Sequence, residues 1–176
     1  FDKILNRIRK LGQEANIHIN YQQLVMKVID QLYDKIPTTK IDELAAEQCA
    51  VMSTNNPDYA TLAGRIVVSN HQKNTDPSFV AVVESLYHNY DAQGMLKPLL
   101  AKDFYDFVLE NGKVLEAMLD HSRDYLIDYF GFKTLERAYL MRKGGKVLER
   151  LQHMWLRVAI GIHLDTNKHR SEEHTS

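Results

Sequence analysis

Residues 130–163 read FGFKTLERAYLMRKGGKVLERLQHMWLRVAIGIH and carry the clearest structural signals in the chain. Loose alternation of apolar residues over Thr134–Met141 predicts a strand, and Val147–Arg150 predicts the strand that returns beside it. Between the two, Gly144 and Gly145 can adopt the positive φ angles that a tight hairpin turn requires. After this hairpin the apolar period becomes helical, with Leu151, Met154, Trp155, Val158, Ala159 and Ile162 on one face.

The same stretch contains a series of longer motifs. Tyr129–Arg137 reads YFGFKTLER, Glu149–Met154 reads ERLQHM, and Gly161–His163 reads GIH. Their order resembles the large subunit of class I ribonucleotide reductase, at the point where its N-terminal helical region meets the catalytic barrel. Leu151 stands where many members of that family have proline. The resemblance implies a mainly α fold in which a β-hairpin and a helix lead into an α/β barrel that lies outside this chain.

Composition excludes several other classes of protein. The chain has 176 residues, of which 44% are hydrophobic and 26% charged, and its formal net charge is −1. These values fit a soluble globular protein and provide no overall field for nucleic acid or an anionic membrane. No apolar run approaches the roughly 20 residues of a membrane span. We therefore expect neither nucleic acid nor a membrane among the partners. The single cysteine favours a reducing compartment, and we expect a cytoplasmic location.

Cys49 is the one cysteine of the chain, which excludes an internal disulfide and a Cys-rich zinc site. Its helix is rich in alanine, so we expect a small buried core residue rather than a reactive thiol. His153 and His163 lack the spacing of metal ligands, and we interpret them as structural histidines. Trp155 is expected to pack between the helix and the hairpin. No metal site is predicted.

The first 74 residues predict four amphipathic helices joined by short connections. Thr39 and Asp42 form an [ST]-x-x-[DE] start signal for the third helix. Pro57 suits the first turn of the fourth helix, which continues to about Asn74. The polar residues Asn74–Pro77 predict a break between this part and the rest of the chain.

Four motifs in this part resemble the ATP-cone, the nucleotide-sensing module at the N-terminus of many ribonucleotide reductases. They are Asp2–Ile4, Met26–Ile29, Leu44–Glu47 and Pro57–Ile66. The family's cone opens with a hairpin that bears a V-x-K-R-x-G motif, and this sequence begins just after that position. The resemblance therefore implies a truncated cone, and we expect weak nucleotide binding.

The cone resemblance also implies a set of ligands for Mg-bound ATP or dATP. Lys3 would reach the phosphates, Thr38 and Asp42 would lie beside the adenosine, and Lys73 takes the position of a late lysine of the family. Each has a structural alternative. Lys3 can be an ordinary exposed lysine, Asp42 with Thr39 can cap a helix, and Lys73 can stabilise a helix C-terminus.

Three segments follow from these interpretations: a cone over residues 1–73, a reductase N-terminal helical domain over 74–163, and a disordered or non-native tail over 164–176. The last seven residues, RSEEHTS, resemble a translated sequencing adapter. The resemblance implies catalysis by a radical cysteine and a reducing cysteine pair, which the single cysteine of this chain cannot supply. We therefore predict no catalytic residue here and no reductase activity for this chain alone.

The family resemblance implies the allosteric, N-terminal part of ribonucleoside-diphosphate reductase, an oxidoreductase that makes deoxyribonucleotides. It further implies a small radical-generating subunit as partner and association of the large subunit with copies of itself. The alternative is a free-standing cone and helical module that regulates a partner without catalysis.

Overall fold

The computed structural model describes residues 1–174 and is mainly helical, which confirms the predicted fold class. Residues 121–126 form a short 3-10 helix, and the hairpin consists of β1 (Arg142–Lys143) and β2 (Lys146–Val147). The helices are α1 (Asp2–Gln13), α2 (Tyr21–Ile29), α3 (Thr38–Met52), α4 (Pro57–Lys73), α5 (Phe79–Tyr87), α6 (Lys102–Glu110), α7 (Gly112–Ala117), α8 (Tyr129–Ala138) and α9 (Leu151–Glu173).

Two compact units make up the described chain. The first contains residues 1–74 and 123–137, and the second contains residues 75–122 and 138–174. The predicted segments 1–73, 74–163 and 164–176 rest on family motifs, not on contacts, and they stay a prediction. Residues 123–137 nevertheless pack in the first unit, although they follow the predicted boundary at residue 74 by almost fifty positions.

The first unit is built around the pairing of α3 with α4. Small side chains on α3 allow this close approach, since Ala45, Ala46 and Cys49 are all fully buried. Burial raises the pKa of the Cys49 thiol to about 12, so the cysteine is a packed apolar residue, as predicted. Helix α4 begins at Pro57, as predicted, and the Asn56 side chain caps it.

Residues 123–137 close the first unit against α4. A methyl group added to Gly64 would lie 3.2 Å from the backbone oxygen of Ile127, so glycine permits the two backbones to approach. Phe132 is fully buried, and its ring meets the His71 ring edge-on at 5.1 Å. Farther along α4, Gln72 Nε2 donates to the Asp124 carboxylate at 3.0 Å.

The hairpin of the second unit differs in part from its prediction. Gly144 and Gly145 have φ angles of 59° and 77°, which confirms the predicted turn. The strands are only two residues long, however, and the predicted strand Thr134–Met141 is wrong, because α8 continues to Ala138. In α8 the buried Phe132 and the half-buried Leu135 are three residues apart, which is a helical spacing. The spacing of the apolar residues that follow resembles the alternation of a strand.

A buried carboxylate holds the hairpin to α9. Glu149 is 1% exposed and accepts hydrogen bonds from Arg157 Nε at 2.8 Å and Nη2 at 3.0 Å. The backbone N–H of Met141 donates to the same carboxylate at 2.8 Å. The carboxylate thus connects the residue before β1 with α9 through one backbone hydrogen bond and one bidentate ion pair.

Helix α9 buries a narrower face than the sequence predicts. Leu151, Met154 and Ile160 are buried, and Ile160 packs into a core with Phe79, Val83, Phe104, Val108 and Leu115. Trp155 is 53% exposed, so its predicted packing between helix and hairpin is wrong. The helix also extends to Glu173, through residues for which the sequence predicted no regular structure.

His153 is a fully buried structural histidine, as predicted. The backbone N–H of Arg150 lies 3.2 Å from His153 Nδ1, and His153 Nε2 lies 3.0 Å from the backbone oxygen of Pro77. These two contacts require Nδ1 to accept and Nε2–H to donate, which defines the neutral ring. Burial lowers the pKa of His153 to about 4.

None of the helices within residues 1–174 combines the length and the apolar character needed to cross a membrane.

Candidate functional site

A buried carboxylate in the first unit collects two cations from two other helices. Asp42 lies in the second turn of α3 and is 4% exposed. Its Oδ1 is paired with the guanidinium of Arg7 on α1. Its Oδ2 lies 3.4 Å from Lys73 Nζ at the end of α4. The carboxylate therefore connects α1, α3 and α4.

Local sequence explains why these groups meet. The residues Leu5 and Ile8 of α1 are buried, and Arg7 between them stands at the edge of that face, half-buried. Helices α3 and α4 are joined by a short loop and run antiparallel, so the beginning of α3 lies near the end of α4. Lys73, the last residue of α4, is consequently within reach of Asp42.

The predicted capping role of Asp42 is wrong. Helix α3 begins at Thr38, one residue before the predicted cap Thr39, and Pro37 at its N-cap position makes no side-chain hydrogen bond. The Asp42 carboxylate instead turns toward Arg7 and Lys73. Tertiary packing against α1 thus determines the role of this residue, which a four-residue motif cannot encode.

The cluster carries an excess of positive charge, because two cations face one carboxylate. Burial lowers the pKa of Arg7. Burial also lowers the pKa of Lys73, and the nearby charge of Arg7 lowers it further. Both shifts reflect partial removal of the two cations from water, and the shift of Lys73 also reflects the nearby charge of Arg7. Such an arrangement favours the approach of an additional anion.

The other two predicted ligands flank this cluster. Lys3 is exposed and precedes Arg7 by four residues on α1, so both side chains lie on one face of that helix. Thr38 is exposed at the first position of α3, where unpaired backbone N–H groups favour anions. The structure thus brings Asp42 and Lys73 together and places Lys3 and Thr38 on the same two helices as Arg7 and Asp42. Binding of nucleotide by these residues stays a prediction.

Arg7 is the member of the cluster that sequence reasoning missed. Its signal was present, since a cation four residues after Lys3 must share the face of α1 that carries Lys3. Composition concealed it, because Arg7, Arg9 and Lys10 follow one another and suggest a solvated helix.

Comparison with known proteins places these features in a family. The model of the ATP cone domain matches residues 1–74, and the model of the ribonucleotide reductase all-alpha domain matches residues 125–175. The chain is 45% identical over 167 residues to the ribonucleoside-diphosphate reductase large subunit of Arabidopsis thaliana. It is 45% identical over 165 residues to the corresponding large subunit of Danio rerio. It is 44% identical over 166 residues to large chain 2 of Saccharomyces cerevisiae.

These alignments cover 93–94% of this chain but only 19–21% of the relatives. The chain thus spans about a fifth of the length of the curated relatives it matches. The chain thus carries an ATP cone and the ribonucleotide reductase all-alpha domain, and it matches the N-terminal fifth of ribonucleoside-diphosphate reductase large subunits. The cone match indicates binding of a nucleotide effector.

Proposed function

We propose that the cluster of Arg7, Asp42 and Lys73 is the effector site of this chain, and that it binds ATP and dATP as Mg complexes. The observation that carries the proposal is the pair of cations held at one buried carboxylate, inside the segment that matches the ATP cone. Polyphosphate needs several positive donors, and Arg7, Lys73 and Lys3 supply them. Asp42 and Thr38 provide acceptors for the hydroxyl and amino groups of the nucleoside.

The chain would then act as the allosteric part of an enzyme that reduces ribonucleotides to deoxyribonucleotides in the cytoplasm. ATP would activate and dATP would inhibit the complete large subunit. The reaction would require a small radical-generating subunit, and the large subunit would associate with further copies of itself. Support for these wider proposals comes from the relatives that the chain matches along 93–94% of its length. The match of residues 125–175 to the reductase all-alpha domain favours this function over a free-standing regulatory module.

Calorimetric titration of the 176-residue chain with MgATP and MgdATP tests the site. We expect Lys73→Gln to lower the affinity for both nucleotides by at least tenfold, because a hydrogen bond to a charged group contributes about 1.5–3 kcal/mol. Lys168→Gln is the matched control, since Lys168 also pairs with one carboxylate, that of Asp103, at 2.8 Å, but lies in the second unit. Equal weakening by both variants, or no binding by the unsubstituted chain, would contradict the proposal.

A further inference from the structure

The cations of the proposed nucleotide site are already occupied by an anion that belongs to the chain. Arg7 pairs with Asp42 Oδ1 and Lys73 Nζ lies 3.4 Å from Asp42 Oδ2, so one carboxylate engages both cations on its two oxygens. A phosphate group that binds Arg7 and Lys73 must therefore displace this carboxylate or share the two cations with it. Asp42, a residue of α3, thus competes with the polyphosphate for these two cations.

The cost of this displacement depends on how well water can replace the cations. The Asp42 side chain is 6% exposed, so water alone replaces them poorly. A buried carboxylate without partners is strongly unfavourable. Release of the cations thus requires new hydrogen-bond donors at Asp42. Inorganic polyphosphate has none to offer, whereas a nucleoside carries hydroxyl and amino groups.

We propose that Asp42 is an internal counter-anion that the effector exchanges: the phosphates take Arg7 and Lys73, and donors of the nucleoside take their place on the carboxylate. This inference rests on the proposed nucleotide function and deepens it. It assigns to Arg7 a direct contact with phosphate, for which a guanidinium is suited by its fixed pair of donors. It also makes binding of the phosphates dependent on the presence of the nucleoside.

Two substitutions at the same ion pair separate this mechanism from a structural role. Asp42→Asn removes the competing charge while retaining the size of the side chain, and Arg7→Gln removes one of the contested cations. If the pair only stabilised the fold, both changes would weaken ligand binding. If Asp42 competes with phosphate, they act in opposite directions on a ligand that consists of phosphate alone.

The experiment measures the affinities of MgATP and of Mg-tripolyphosphate for the full chain by calorimetry. We expect the unsubstituted chain to bind ATP more tightly than tripolyphosphate. Asp42→Asn should bind tripolyphosphate about tenfold more tightly than the unsubstituted chain, and Arg7→Gln about tenfold more weakly, as one charged hydrogen bond implies. The affinity for ATP divided by the affinity for tripolyphosphate should consequently be smaller in Asp42→Asn than in the unsubstituted chain.

The unsubstituted chain provides a second readout that needs no variant. In ¹³C-labelled protein, the carboxyl resonance of Asp42 should shift when ATP saturates the site, because the partners of the carboxylate change. A resonance that stays unchanged at saturation, or an Asp42→Asn chain that binds tripolyphosphate no more tightly, would overturn the exchange while nucleotide binding stands. Failure of the unsubstituted chain to bind ATP would instead remove the proposed function and the exchange together.

Discussion

The buried ring of His153 predicts a defined loss of stability in mild acid. The Nδ1 of His153 accepts a hydrogen bond from the backbone N–H of Arg150, and its Nε2–H donates to the backbone oxygen of Pro77. A second proton on the ring would sit on Nδ1 and face the backbone N–H of Arg150, so that two donors would oppose each other. The pKa falls from the ordinary value of 6.5 to about 4. Because the folded pKa lies below the unfolded one, this histidine stabilises the fold fully above pH 6.5. The contribution is lost as the pH falls to about 4.

The size of the effect follows from the shift. A difference of about 2.5 pKa units corresponds to about 3 kcal/mol, since each unit contributes about 1.4 kcal/mol. For a domain whose total stability is about 5–15 kcal/mol, such a loss is large. Because burial is the main cause of the lowered pKa, this free energy is the cost of placing a charged ring in the core.

Urea unfolding of the full chain at several pH values from 7.5 to 4 measures this contribution. The single tryptophan, Trp155, lies two residues from His153 and reports the unfolding of the second unit by its fluorescence. His153→Gln keeps an acceptor and a donor but cannot titrate, so its free energy of unfolding should fall less between pH 6.5 and 4. The difference from the unsubstituted chain should approach about 3 kcal/mol.

His163→Gln is the control, because His163 is an exposed histidine on the same helix. It should retain the pH dependence of the unsubstituted chain. Identical pH profiles for His153→Gln and the unsubstituted chain would refute the assignment of a neutral buried ring.

Three further predictions concern other parts of the chain. Glu149→Ala leaves the half-buried Arg157 without its carboxylate and should lower the free energy of unfolding by about 3–5 kcal/mol, measured with urea. Cys49 should react with a thiol reagent such as dithiobis(nitrobenzoate) only after unfolding, since it is fully buried with a pKa of about 12. Gly145→Ala should lower the melting temperature, because its φ of 77° is unfavourable for alanine. Gly161→Ala should raise the melting temperature, because a methyl group there meets no atom and alanine favours the helix. Each change corresponds to about 1 kcal/mol in the free energy of unfolding.

Each of these predictions has its own control or contrary outcome. Glu110→Ala, at an exposed carboxylate, should change stability by less than about 0.5 kcal/mol. Labelling of the native chain as fast as of a free thiol peptide would exclude a buried Cys49. A melting temperature that moves in the same direction for both glycine variants would contradict the backbone argument.

Features that depend on local chemistry were predictable from the sequence. Paired glycines encoded the hairpin turn, and Pro57 with Asn56 encoded the start of α4, because φ preferences and caps act within a few residues. The spacing of apolar residues in short segments was less informative about secondary structure. Residues Thr134–Met141 suit either period, so the length of α8 was decided by burial of Phe132 against α4, a contact distant in sequence.

The candidate site was predictable only in part, for the same reason. Family motifs indicated Asp42 and Lys73, which the structure brings together. The capping motif around Asp42 was misleading, since this carboxylate pairs with Arg7 and Lys73, which are both more than thirty residues away in sequence. Trp155 shows the converse case. Its helical period matched an apolar face, but of that predicted face only Leu151 and Met154 are buried, and α9 turns Ile160 toward the core as well.

The closure of the first unit by residues 123–137 has a consequence for synthesis of the chain. A ribosome completes residue 74 well before residue 137, and the 63 intervening residues take about 3 to 13 s at roughly 5–20 residues per second. During that interval the face of α4 around Gly64 and His71 has no Phe132 to cover it. The unit that comes first in the sequence can therefore complete its folding only after residue 137 has been translated.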